Sequence, residues 1–208
     1  KNIRLRKRYL SENERKTKTP REYAREILTE KLVEDVWDHK IFSEADMQYC
    51  AAFWLDKEYF SLQYYLRNQP QIPIGKGRGT ANAKPDIVIF SPKHGPVVAF
   101  ELKCFIANPN LGIRQIADKI WEDIDNLYKF KQRYPESENV FAIAMVHLDK
   151  QDFDELRKEF SRDKEEWMKH YLFTHIVNIV CNENGRKRNQ YEVWYKEWKK
   201  WKEYFDDL

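Results

Sequence analysis

Two hydrophobic periods alternate along this chain. Tyr23, Ile27, Leu32, Val33, Val36 and Trp37 recur at helical spacing. Ahead of them Thr19 suits an N-cap, Pro20 the first helical position and Glu22 the closing of a capping box. Ser43-Glu44-Ala45-Asp46 repeats such a start signal, and Met47, Cys50, Ala51, Trp54 and Leu55 give the second helix its inner face. Tyr59 to Leu66, dense in aromatics and leucine, predicts a strand closed by Asn68-Gln69-Pro70. Asp86 to Phe90 and Val97 to Phe105 predict two more, joined by turn formers from Ser91 to Pro96 that suit an antiparallel hairpin. Ile113, Ile116, Ile120, Ile124, Leu127 and Phe130 then predict a long helix ending near Arg133. Val140 to Val146 predicts a buried strand, Asp152 to His170 a helix and Phe173 to Cys181 a strand. Trp194, Trp198, Trp201 and Phe205 stand at helical spacing and predict a closing helix. This order implies an α/β fold, a three-layer α-β-α arrangement around a central mixed β-sheet.

Composition narrows the picture. With 42% hydrophobic and 15% aromatic residues in 208, the chain can bury a substantial core, while 34% charged residues imply a heavily charged surface. Net charge is only +3, yet nine basic residues crowd Lys1 to Arg21 against Glu12 and Glu14. Residues 1–18 therefore read as a basic arm, either neutralising phosphates or simply solvated, and residues 19–208 as a single domain. Cys50, Cys104 and Cys181 are too few and scattered for a disulfide framework, and no CxxC or HExxH spacing supplies a zinc site. Apolar runs are strand-sized, which argues against a membrane span, and no signal-peptide pattern opens the chain. The expected location is cytoplasmic; a first residue other than Met leaves a longer parent protein open.

The chemistry concentrates in the second hairpin strand. Alternation puts Val98, Phe100, Leu102 and Cys104 on one face and Ala99, Glu101, Lys103 and Phe105 on the other. A carboxylate and an ammonium within so apolar a strand cost free energy unless they are paired or used. Asp86 follows Pro85, whose missing donor suits the start of a strand, so the hairpin can bring Asp86 near Glu101. Two converging carboxylates repel, and a divalent cation with oxygen ligands resolves the conflict. The bland alternative is an edge salt bridge between Glu101 and Lys103.

Pro85-Asp86, fourteen intervening residues and Glu101-Leu102-Lys103 resemble the signature of the PD-(D/E)xK nuclease superfamily, which includes restriction endonucleases and Holliday-junction resolvases. The resemblance spans about Ser43 to Leu148, and implies a restriction-endonuclease-like fold with a nuclease core over about residues 43–148. It also implies metal ligation by Asp86, Glu101 and the backbone carbonyl of Leu102, with Lys103 assisting the attacking water. Four (D/E)xK triplets occur in the chain, but only the one at Glu101 lies in a strand-like apolar run. The family's additional acidic position on the preceding helix falls on Gln48, an amide that can bond a metal-bound water but adds no charge. Glu44 and Asp46, beside it, read as first-turn residues that fit helix capping.

The expected function is a Mg2+-dependent nuclease hydrolysing phosphodiester bonds in DNA, with Mn2+ able to substitute. Catalytic candidates are Asp86, Glu101, Lys103 and Gln48; metal candidates are Asp86, Glu101 and Leu102. Nucleic-acid contacts are expected from Lys76 and Arg78, in the glycine-rich loop Gly75 to Gly79, and from Gln115 and Lys119 on the following helix. The loop reads otherwise as a plain connector, and Gln115 and Lys119 as a solvent face. Two rivals stay open: an inactive nuclease-fold module that binds nucleic acid or scaffolds a larger complex, and a protein-interaction domain docking through the tryptophan stripe. A homodimer or partner protein is compatible with each of these.

Overall fold

The computed structural model describes residues 25–59, 65–68, 72–73, 82–83, 85–91, 95–107, 111–137, 139–161, 172–180 and 191–198. The Thr19-Pro20 start signal, the basic arm, the glycine-rich loop with Lys76 and Arg78, and Trp201 and Phe205 lie outside these residues.

A π-helical turn at Ile27–Lys31 leads into α1 (Leu32–Trp37). The helix stops where His39 takes a left-handed backbone (φ 57°) and donates its N–H to Val36 O at 3.0 Å. α2 (Glu44–Tyr59) opens on the expected capping box. Ser43 N donates to Asp46 Oδ2 at 3.0 Å, and Asp46 N donates to Ser43 Oγ at 3.2 Å. Buried Asp35 ties the two helices, accepting Trp54 Nε1 and Lys40 Nζ at 2.7 and 2.8 Å.

The strands are β1 (Tyr65–Asn68), β2 (Ile72–Pro73), β3 (Asn82–Ala83), β4 (Ile87–Ser91), β5 (Gly95–Cys104), β6 (Asn139–Val146), β7 (Leu172–Ile179) and β8 (Tyr191–Trp198). Six of them form one mixed sheet in the order β1-β4-β5-β6-β7-β8, while β2 and β3 pair separately. β5, β6 and β7 run parallel, and β1, β4 and β8 flank them with antiparallel pairings. The crossover from β5 to β6 carries α3 (Ile113–Arg133), and α4 (Lys150–Ser161) links β6 to β7. As expected, β4 and β5 form an antiparallel hairpin, with Gly95 at φ 72° where the second strand begins.

Each face of the sheet carries its own core. Phe100, Leu102, Phe141, Met145 and Val177 pack with Met47, Ala51 and Leu55 of α2 and with Leu32 and Val33 of α1. Val88, Ala99, Val140, Ala142, Ala144 and Ile176 pack with Ile116, Ile120, Ile124, Leu127 and Phe130 of α3 and with Phe153, Leu156 and Phe160 of α4. Burial on both sides explains why β6 reads as a nearly unbroken apolar run rather than an alternation. Phe100, Phe141 and Phe173 stand in register on neighbouring strands, with successive ring centroids 5.1 Å apart.

Two expectations fail. Trp194 and Trp198 belong to β8, a strand paired with β7, not to a closing helix. Their spacing of four is even, so it fits a strand's period of two as well as a helical turn, and the ladder to β7 decides between them. Tyr59 ends α2 instead of opening a strand, and the strand predicted there appears at Tyr65–Asn68. Among the described residues no helix is long and apolar enough to cross a membrane.

Candidate active site

The β4–β5 register pairs Ile87 with Phe100. One step further Asp86 stands opposite Glu101, at the point where the β4 ladder ends behind Pro85. There the Asp86 side chain takes over from the backbone: its Oδ2 accepts the Leu102 N–H at 2.7 Å. Its Oδ1 accepts Gln48 Nε2, also at 2.7 Å, so α2 reaches the end of the hairpin from the far side of the sheet. Glu101 lies alongside on the same face of the hairpin, its carboxyl near enough for the charge of Asp86 to raise its pKa. Both are buried, at 7% and 5% exposure, and β5 is an inner strand, so the edge salt bridge between Glu101 and Lys103 is not what forms.

Lys103 turns to other partners. Its Nζ lies 3.3 Å from Glu44 Oε1 on α2 and 3.4 Å from Asp123 Oδ1 on α3. The ammonium is thereby held by carboxylates from helices on opposite faces of the sheet. Burial pulls its pKa down, but the negative charges of Asp123, Glu44 and Asp86 outweigh it and leave Lys103 above its ordinary value.

The acidic groups are strained in the opposite sense. Burial, followed by the charges of Asp86 and Asp123, pushes Glu101 up to about 10. Burial also raises Asp86, against the Leu102 N–H and the charge of Lys103, which pull it down. Asp123 is pushed up to about 7, by burial first, with Lys103 opposing. Two adjoining carboxyls in a dry site resist ionising together, so both Asp86 and Glu101 stand above the ordinary carboxylate range.

A cleft of about 400 Å³ opens beside this cluster, lined by Glu44, Lys103, Lys119 and Phe42 among others. Lys119 thus lies at the mouth shared with Lys103. Gln115 does not: its Oε1 accepts the Gly112 N–H at 3.1 Å and serves the start of α3. Leu102 donates its backbone N–H to Asp86, while its side chain fills the core on the α2 side.

Asp123 was not anticipated. Its only signal was one acidic residue beside Ile124 and Ile120, on the buried stripe of an otherwise amphipathic helix. Glu44 was expected to serve its own helix, yet its carboxylate meets Lys103. Asp46 does behave as a capping residue, accepting from Phe42 N, Ser43 N and Ser43 Oγ.

Among the described residues no group of three or more His, Cys, Asp or Glu is gathered as a metal cage. The candidate donors are the buried, juxtaposed carboxyls of Asp86 and Glu101, next to Lys103, which lines the cleft. That suits a hard cation such as Mg2+, which binds through one or two carboxylates and keeps several waters, since its charge would offset the cost of ionising Asp86 and Glu101 together. No protein-family model, curated protein or solved structure matches the chain.

Proposed function

We propose that the chain is a metal-dependent nuclease of PD-(D/E)xK type, with a restriction-endonuclease-like three-layer fold, hydrolysing phosphodiester bonds in DNA. The observation that carries the reading is the juxtaposition of the buried carboxyls of Asp86 and Glu101 across the hairpin, with Lys103 on the same strand lining an open cleft. Such groups cost stability where they stand, which is the mark of a site arranged for chemistry.

Asp86 and Glu101 would hold the cation, and Gln48 and the Leu102 amide fix the orientation of Asp86. When bound, Mg2+ or Mn2+ would polarise the scissile phosphate and lower the pKa of water. Lys103 supplies a fixed positive charge where negative charge grows on the phosphate in the transition state, and steers the attacking water by hydrogen bonding. Glu44 and Asp123 keep that ammonium charged and in place. Lys119 contributes a phosphate contact at the cleft. In-line attack would leave a 3′ hydroxyl and a 5′ phosphate.

The test is cleavage of plasmid and single-stranded DNA with Mg2+ or Mn2+ by the wild type, Asp86→Ala and Lys103→Ala. Cleavage by the wild type and none by either variant is expected; equal activity in all three refutes the reading. A second reading, a nucleic-acid-binding module without catalysis, draws on Gln48, whose amide replaces a carboxylate and leaves the site one negative charge poorer. Calorimetry separates the two. The enzyme binds Mn2+ with an affinity that Glu101→Ala abolishes, whereas the binding module shows no such heat.

A further inference from the structure

From Ala45 to Phe53 the outermost line of α2 is apolar, before exposed Asp56 closes it, where a chain one-third charged would ordinarily place lysine or glutamate throughout. Ala45, Tyr49 and Phe53 succeed one another at intervals of four on its exposed side, and Phe42 precedes them just ahead of the cap. The large exposed hydrophobics among the described residues are Phe42, Tyr49, Phe53, Tyr191 and Val193, so three of the five share this one face. Tyr49 is 74% exposed, Phe42 57% and Phe53 53%. Asp46, the acidic residue next to them, is occupied by its three hydrogen bonds within the cap.

Two of these rings are braced from beneath. Phe42 is pinned by its own N–H to Asp46 Oδ2 at 3.1 Å, and lies parallel to His39 with planes 8° apart. Phe53 meets Trp54 edge-on at 5.2 Å, and Trp54 is itself anchored on Asp35. Phe42 also lines the cleft that holds Lys103 and Lys119. The aromatic line therefore begins at the candidate active site and runs away from it for about 16 Å along the helix, given about 1.5 Å per residue.

We infer that this face is a stacking platform for the unpaired bases of single-stranded nucleic acid, whose backbone enters the cleft at Lys103 and Lys119. The inference rests on the nuclease reading and names its substrate class. Pre-positioned rings accept any base by stacking, and adjacent cations track the backbone, which is how single strands are held without sequence preference. A duplex keeps its bases paired inside and offers these rings nothing to stack on.

Fluorescence anisotropy in EDTA, which prevents cleavage, tests it on the full chain with a labelled single-stranded oligodeoxynucleotide and its duplex. Phe42→Ala and Tyr49→Ala should each weaken single-strand binding about tenfold. Duplex binding by Tyr49→Ala, away from the cleft, should stay unchanged, and Tyr49→Trp should restore single-strand affinity. Equal losses on both probes, or no loss on either, overturn the inference while leaving the nuclease reading to stand on Mg2+-dependent cleavage that Asp86→Ala abolishes. A change in sedimentation without a change in single-strand binding also overturns it, in favour of a second copy of the chain on this face. A wild type that neither binds nor cuts any nucleic acid removes both readings together.

Discussion

Glu101→Gln is expected to stabilise the metal-free protein and flatten its dependence on pH. Burial first, then the charges of Asp86 and Asp123, raise this carboxyl from 4.5 to about 10. The folded protein keeps a proton that the unfolded chain releases above pH 4.5. The unfolded state then binds fewer protons, so stability falls as pH rises from 4.5 to about 10. At pH 7 the loss has run over about 2.5 units at about 1.4 kcal/mol each, about 3 to 4 kcal/mol in all. Glutamine keeps the shape and cannot ionise. It should therefore return up to about 3 to 4 kcal/mol at neutral pH. The cleanest window is pH 7 to about 8.5. Below it Asp123, pushed up to about 7, titrates as well. Above it the thiol of Cys50, raised from 9.0 to about 11 mainly by burial, adds a slope of the same sign. Within that window the wild type should lose about 1.4 kcal/mol per pH unit and the variant close to none. Urea midpoints followed by circular dichroism in EDTA measure both. Parallel slopes, or a variant less stable than wild type at pH 8, would show that Glu101 is ionised in the fold at no cost.

Lys103→Met should reduce cleavage by about two orders of magnitude or more and move Asp123 further above 7, a shift read by carbon NMR titration of its carboxyl. Asn178→Ala should destabilise by about 2 kcal/mol. That side chain is buried, accepts Leu148 N at 2.9 Å and donates to Leu148 O at 3.1 Å, closing the loop after β6; a midpoint unchanged in urea would contradict this. Phe141→Ala removes the middle ring between Phe100 and Phe173 and should cost about 3–5 kcal/mol, with xenon or benzene binding as a check on the cavity.

The hairpin was legible because local rules agree there. Period-two alternation fixed which face Glu101 and Lys103 share, Pro85 fixed where β4 begins, and the turn formers fixed the pairing that sets Asp86 against Glu101. The capping box at Ser43 and Asp46 was legible for the same reason. Asp123 and Glu44 were not, since their roles depend on α3 and α2 crossing the sheet at one height, a tertiary fact that no local period encodes. β8 was misread because a spacing of four satisfies both periods, and only its pairing with β7 distinguishes them.

The clasp on Lys103 has a mechanical corollary. α2 and α3 belong to separate cores, and the sheet insulates one from the other. A single ammonium rivets them across that partition. On the proposed reading, a phosphate drawn to this amine would compete with both carboxylates at once, and its occupancy would be felt by two helices that pack on opposite faces of the sheet. Faster amide exchange at the start of α2 and midway along α3 on adding phosphate would be the trace of that message.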